Sequence, residues 1–484
     1  MTRLASAEFD LLVIGGGIHG LTAAYDAAQR GLSVALVERG DFGGATSFNH
    51  LKTIHGGLRY LQTADFARMR ESIRERRAFA RIAPRFVAPL AFVTPTSSSL
   101  TRNAAAMKAA FALDAIVGSD RNNDLPPSHH LPPGRLVSSD ECRALVGADG
   151  EPVMRGGALW YDYETVQGDR LTLAFALAAD ARGAALANYV EAAGALMSGR
   201  TITGIKARDV FTNNTFDIRA RAFVVAAGPW TSTFLSHAGV RRSWPLMKVM
   251  NLVTSRPARR AALAMPAKSG RALIMLPWQG RTLVGTGEST VEQPADAQQA
   301  RRPEVSAFLA EINETFPGFN LDADEVTLVH RGIVPAVAAA KTAGGLSLLG
   351  HSKVCDHSAD GVANLVSVVG VKYTTARAVA EQVTDLVFAK LGRPAVRCRT
   401  TETLLPTAGQ SDAASANPIQ QAVEVEMAHT LADVVVRRTG IGAAGYPGDG
   451  AVHDHARTMK QLCGWSIERT SSEIAALKRF YDVE

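Results

Sequence analysis

Three glycines and one glutamate carry the first chemical signal. Gly15, Gly17 and Gly20 stand in the run Ile14-Gly15-Gly16-Gly17-Ile18-His19-Gly20, and Glu38 follows at the offset of roughly twenty residues that a ribose-binding acid needs. At this spacing the first glycine permits a tight turn, the second lets backbone approach a pyrophosphate, and the third lets a helix pack on a strand. The helix N-terminus then offers free N–H groups to phosphate. The chemistry indicated is dinucleotide binding; a glycine turn in an ordinary parallel sheet would leave the acid unexplained. A second set of residues can move protons or hold anions. It comprises Lys52, His55 and Arg59, in Lys52-Thr53-Ile54-His55-Gly56-Gly57-Leu58-Arg59-Tyr60, with Arg331 and Arg377 further on. Taken alone, His55 reads first as a histidine hydrogen-bonded to its own loop. The lysine and the arginines read equally well as salt-bridged residues or as anion ligands.

These residues need elements to place them. A buried strand is expected over 9–14, a helix over 21–30 closed by Gly31, and a second strand over 32–37 ending on Glu38, which is one β-α-β unit. Small-residue loops follow at 39–47 and 52–60. The stretch 65–82 reads as a helix with six arginines and a buried stripe of Phe66, Met69, Ile73 and Ala80. A solvated basic face is preferred there over contact with anionic lipid. Further helices are expected over 101–117 and 170–182, strands over 156–163, 184–190 and 221–227, and a polar loop over 120–134. Short β-like runs at 248–254, 272–277 and 282–286 suit an antiparallel substrate layer, with a loop over 292–302. A buried strand at 365–369 opens into Gly370-Val371-Lys372-Tyr373-Thr374-Thr375 and a helix to about residue 391. A linker over 408–418 and helices over 420–439 and 466–481 complete the chain. The strand-to-glycine stretches at 14–20, 224–228 and 368–375 converge on one long cofactor, which favours FAD over NAD.

The chain has 484 residues, enough for two or three domains, and a formal net charge of +6, a mild excess that suits an anionic substrate or membrane surface. Its four cysteines, Cys142, Cys355, Cys398 and Cys463, have no paired spacing, which suggests reduced thiols. Residues 1–8 lack the apolar core of a signal peptide, and no apolar run approaches membrane-spanning length. The expected location is cytoplasmic, with peripheral contact at the inner face of the membrane as the alternative. His351, Cys355, Asp356 and His357 do not match a standard zinc pattern, and no metal is expected. Nor is there a nucleophile elbow, a phosphate-binding Walker loop or a nucleic-acid stripe.

Several stretches together resemble the FAD-dependent glycerol-3-phosphate dehydrogenases, within the glutathione-reductase-like flavoproteins that include D-amino-acid oxidase. They are 14–20, Ala45-Thr46-Ser47, 52–61, Pro277-Trp278, Val284-Gly285-Thr286, 370–377 and 426–438, and Ile54-His55-Gly56-Gly57-Leu58-Arg59-Tyr60-Leu61 is the most particular. The resemblance implies an α/β fold with a parallel-sheet FAD domain (1–75, 155–235 and 340–400), an antiparallel substrate domain (76–154 and 236–339) and a helical C-terminal region (401–484). It implies that Gly15, Gly17 and Gly20 hold the pyrophosphate, with Glu38 and Arg39 at the adenosine ribose. Thr46 and Ser47 would lie near the phosphates and ribityl chain, Val190 at the adenine, and Ala227 and Gly228 along the adenosine. Gly370, Lys372, Tyr373, Thr374 and Thr375 would lie under the flavin's pyrimidine edge, where a lysine stabilises negative charge. The implied reaction is hydride removal from a hydroxyl-bearing carbon, with His55 as the base and Lys52, Arg59 and Lys372 in catalytic positions. Lys248, Asn251, Glu288, Arg331 and Arg377 would face the substrate. Three positions depart from the family pattern. Val334 stands where an arginine grips phosphate, Asn251 where the family has histidine, and Glu288 where it has aspartate. The expected substrate is therefore a polyol phosphate or related alcohol other than glycerol-3-phosphate itself. Two rivals stand beside this reading: an amine or amino-acid oxidase on the same fold, and a flavin-binding protein without catalysis. The electron acceptor, quinone or oxygen, is not specified by these residues, and no nucleic-acid partner is expected.

Overall fold

A computed structural model describes residues 2–99, 102–146, 156–291, 299–339, 345–407 and 417–484. Its organising feature is a sheet in the order Lys353–Asp356, Leu365–Val369, Thr215–Val225, Glu8–Ile14, Val34–Glu38 and Ala185–Asn188. All pairings after the first are parallel. Leu11, Leu12, Val13, Leu36, Val224, Val225, Leu365 and Val366 are fully or almost fully buried, as expected of parallel strands covered on both faces. The helices Ile18–Gln29, Gly168–Asp180 and Ala376–Lys390 supply that cover on one side. Ile14 lies opposite Val225, and Val225 opposite Ser367. The C-terminal ends of the three central strands therefore finish side by side, the usual place for a ligand in an open α/β sheet.

The second sheet is mostly antiparallel. It runs Leu346–Leu348, Val326–Ala338, Leu246–Pro257, Arg281–Thr290, Ala272–Trp278, Ala262–Pro266, Val87–Pro95, Gly157–Thr165 and Thr53–Ile54. One face carries a separate core around Leu252, Leu263, Met275, Val284 and Phe316, closed by the helix Arg302–Thr315. The strands expected at 248–254, 272–277 and 282–286 are all present and longer. Gly157–Thr165 joins this sheet, pairing with Val87–Pro95 and Thr53–Ile54. It does not join the parallel sheet with which it was grouped above.

Several elements differ from expectation for identifiable reasons. The strand expected at 184–190 is two: Ala185–Asn188 ends at Tyr189, whose φ of 57° turns the chain into the hairpin Val190–Ser198 and Thr201–Asp209. The single helix expected over 420–439 is broken into Pro418–Glu424 and the π-helical turn Asp433–Arg438, with Met427 at φ 55° between them. The helices Arg302–Thr315 and Asp449–Cys463 were not foreseen; a polar start and flanking glycines masked their periodicity. The expected linker at 408–418 and loop at 292–302 lie largely outside the described residues. Among the described residues no helix is long and apolar enough to cross a membrane.

Candidate functional site

Where the three strands end, a cavity of about 770 Å³ opens between the two sheets, large by the standards of small-molecule and cofactor sites. Its walls contain Gly15, Gly17, Glu38, Arg39, Thr46, Ser47, Val190, Ala227, Gly228, Gly370, Lys372 and Tyr373. Gly20 lies behind this wall. A Cβ there would sit 1.9 Å from the Gly15 carbonyl oxygen, so the third glycine is needed for helix-on-strand packing. Gly15 has φ +107°, and its Cβ would meet the Ala226 oxygen at 2.6 Å. Gly17 is the residue before the helix Ile18–Gln29, and no side chain caps that end from position 17. The Ile18 N–H instead donates to Ser47 Oγ at 2.9 Å.

Glu38 accepts from the N–H of Gly16 at 2.6 Å and of Gly40 at 2.7 Å. Both of its oxygens thus lock the turn, and a carboxylate has lone pairs left for a further donor. Burial raises its pKa and those two N–H bonds oppose the rise. Arg39 lies over the Trp230 ring at 4.9 Å. Thr46 Oγ1 donates to the Ile333 carbonyl at 2.9 Å and accepts its N–H at 3.1 Å, tying the small-residue loop to the antiparallel sheet. The crowded glycines, the helix N-terminus and the acid at the strand end all fit FAD in this cavity. A further observation agrees. His19 lines the cavity, its buried Nε2 has no hydrogen-bond partner among the described residues, and burial pushes its pKa down to about 4.

The proton- and anion-handling residues are divided by the fold. Lys372 lines the cavity, with its ammonium 4.2 Å over the Tyr60 ring. Its pKa is pushed down to about 7 by burial first and then by Arg68 and Arg59. His55 is placed beside it: the ring lies 6.1 Å from Tyr60, and the His55 backbone N–H donates to Thr374 Oγ1 at 3.4 Å. Burial, then Arg59 and Lys372, hold its pKa well below the usual histidine value. Arg59 reaches the Tyr60 ring at 5.3 Å, and its charge is felt by Glu288, whose pKa burial raises. Glu288 itself lies 3.6 Å from Arg271. Arg331 lines another part of the cavity, its guanidinium 5.7 Å over Phe480 and its backbone N–H donated to Asn49 Oδ1 at 2.8 Å.

Six expected site residues are placed elsewhere. Lys52 is fully buried, donates to the Phe48 carbonyl and lies 3.7 Å from Asp169, between the rings of Phe48 and Trp278. Arg377 is held by both oxygens of Glu75 at 2.7 Å and by Glu381 at 2.9 Å. That pair binds the helix Phe66–Ile82 to the helix Ala376–Lys390. Lys248 donates to Glu304 at 2.5 Å and to the Gln299 carbonyl at 2.8 Å. These three cations are spent on packing, not on a ligand. Asn251 also turns from the cavity, donating to the Asn49 carbonyl at 2.9 Å and accepting from Thr286 Oγ1 at 3.2 Å. Thr374 and Thr375 lie behind the wall at the start of the helix Ala376–Lys390.

Two residues of the wall had no signal in the sequence. His50 stacks on Tyr373 at 4.3 Å and bonds the Ser47 carbonyl through Nδ1 at 2.8 Å; Tyr373 in turn shares a 2.8 Å hydrogen bond with Thr172. Trp230 follows Gly228, and only its neighbours marked it. His351 and His357 are used separately, by Asp65 in one case and by Asp360 and Ser367 in the other. Among the described residues no group of three or more His, Cys, Asp or Glu side chains could hold a metal ion.

The family model described as FAD dependent oxidoreductase matches residues 10–386. A glycerol-3-phosphate dehydrogenase of Synechocystis is 30% identical, with 98% of this chain and 96% of that protein aligned. The mitochondrial glycerol-3-phosphate dehydrogenase of Homo sapiens is 31% identical over 79% of this chain, which spans about half (53%) of that longer protein. Among solved structures, the glycerol-3-phosphate dehydrogenase of Bacillus halodurans complexed with FAD superposes with a TM-score of 0.75 at 22% identity, covering 99% of this chain and 95% of that one.

Proposed function

The chain belongs to the FAD-dependent oxidoreductase family, and on that premise we propose that it oxidises a hydroxyl-bearing carbon of a small anionic polyol or related alcohol. The observation that carries this reading is the meeting of His55 and Arg59 with Lys372 around the Tyr60 ring, beside a cavity that Lys372 lines. The chemistry supplied by FAD, when bound, is acceptance of a hydride from that carbon. Gly15, Gly17 and the helix N-terminus hold the pyrophosphate, and Glu38 holds the adenosine ribose. Lys372 orients the substrate and stabilises negative charge at its edge of the cavity. His55 takes the hydroxyl proton. Burial first, and then the surrounding cations, keep its imidazole free to accept one, and a bound anionic substrate offsets those cations and raises the ring toward a working pKa.

Glycerol-3-phosphate held with its phosphate at position 334 is a poor fit. Val334 lines the cavity in the company of Val249, Leu246 and Leu348, and none of these can give a phosphate the paired bonds of a guanidinium. Asn251 is committed to Asn49 and Thr286 and could not accept a proton near neutrality. The test is stopped-flow reduction of the flavin. Glycerol-3-phosphate should bleach it slowly or not at all while another anionic polyol bleaches it fast. Fast saturable bleaching by glycerol-3-phosphate would refute this choice of substrate.

A further inference from the structure

The helix Phe66–Ile82 begins with Asp65 as its cap, whose carboxylate accepts the Arg68 N–H at 3.0 Å. That fixes the first turn and sends Arg68 back toward Tyr60, which its guanidinium covers at 4.2 Å. Lys372 covers the same ring at 4.2 Å and Arg59 at 5.3 Å. Three cations thus gather on one aromatic side chain, which is itself buried. Among the described residues, none of the three has a carboxylate within ion-pair distance. Asp65 is taken by its cap and by His351 at 3.2 Å, and Glu288 by Arg271 at 3.6 Å. Glu71 acts on Arg68 and Lys372 only at longer range. Arg68 Nε is buried and makes no hydrogen bond among the described residues. A ring face offsets part of the repulsion among three cations, but an oxyanion would offset far more.

We infer that Arg68, with Arg59 and Lys372 on the Tyr60 ring, seats the anionic group of the substrate, and that Arg68 sets specificity in place of the missing cation at position 334. This rests on the alcohol-oxidising reading above and adds where the charge is held, at the cation cluster that Lys372, which lines the cavity, joins to it. The ligand chemistry is an oxyanion, phosphate or carboxylate. It binds with its charge toward the helix Phe66–Ile82 and its hydroxyl-bearing carbon toward His55. Burial and the neighbouring Arg59 already disfavour the Arg68 cation, so a bound anion relieves a cost the free protein carries.

The test uses the FAD-loaded protein and two probes, inorganic phosphate and acetate, titrated calorimetrically slightly below neutral pH. Wild type should bind at least one of them, and the tighter one identifies the anion. Arg68→Gln should weaken that binding about tenfold or more, Arg68→Lys less, and the exposed Arg143→Gln not at all, with FAD content and melting temperature preserved in each. With an anionic alcohol as reductant, Arg68→Gln should raise KM about tenfold and leave kcat within about twofold. Reduction by glycerol, which carries no charge to seat, should fall by a smaller factor than reduction by the anionic alcohol. Equal affinity for both probes in wild type and Arg68→Gln, or no binding of either probe to wild type, would overturn the inference. Failure of every alcohol to bleach the flavin, with phosphate binding still lost in Arg68→Gln, would instead count against the reaction and support the anion seat.

Discussion

At the scale of single residues, Lys372 makes the sharpest forecast. Its free-state pKa is about 7, set by burial and by Arg68 and Arg59 against Glu71 and Asp65; His55 and Tyr60 complete its surroundings. Anion binding favours the ammonium, so the bound pKa lies above the free one. Phosphate affinity should be full below about 7 and decline as the pH rises above that point. In Arg68→Gln one neighbouring cation is gone, and the decline should start at higher pH; an unmoved profile would show that the two do not interact. Lys372→Met should lower the flavin reduction potential and leave FAD bound, and an unchanged potential would place the lysine away from the flavin. Gly17 gives a different forecast. A Cβ there would stand 3.2 Å from Ser47 Oγ, so the serine hydroxyl must give slightly, and a larger side chain would fill the space the pyrophosphate needs. Gly17→Val should therefore purify folded and colourless, and retention of a full complement of FAD would contradict the pyrophosphate assignment. The glycines and Glu38 were readable from sequence because their roles are local. Lys52, Lys248 and Arg377 were not, because their partners Asp169, Glu304 and Glu75 lie far along the chain.

At the scale of elements, the loop after Glu38 is held from the far end of the chain. Arg438 pairs with both oxygens of Asp41 at 2.7 and 2.8 Å, and Arg437 reaches Asp41 at 2.6 Å and Asp433 at 2.5 Å. Arg170 and Glu426 add a further tie. Burial works to raise the Asp41 pKa, and the two arginines overcome it and hold the carboxyl far below its usual range. Arg438→Met should cost about 3–5 kcal/mol, the usual toll of leaving a buried charge short of its partner. It should also weaken FAD binding, since Asp41 and Arg437 both line the cavity. Thermal melting and FAD retention measure the two effects; a variant as stable and as yellow as wild type would show that the clamp is dispensable. The strands at 9–14 and 365–369 were legible because buried parallel strands are continuous apolar runs. The break at Met427 was not, because φ 55° at a methionine is imposed by tertiary contacts and not by propensity.

At the scale of the whole molecule, two sheets meet along the cavity, one carrying the cofactor signals and the other the substrate wall. The five parallel strands of the first sheet were legible, whereas its edge strand Lys353–Asp356 and the hairpin Val190–Ser198 and Thr201–Asp209 were not. The second was legible as antiparallel but not in extent, since Thr53–Ile54 and Gly157–Thr165 join it across long sequence separations. The site was legible where it depends on the parallel sheet, and illegible where three cations from separate segments meet on Tyr60. One measurement bears most directly on the central claim. The purified protein is titrated anaerobically with polyol phosphates, hydroxy acids and amino acids while the flavin absorbance is followed. The account predicts a yellow protein with about one FAD per chain, bleached by an anionic alcohol and untouched by amino acids. Bleaching by an amino acid, with every alcohol inert, would contradict it.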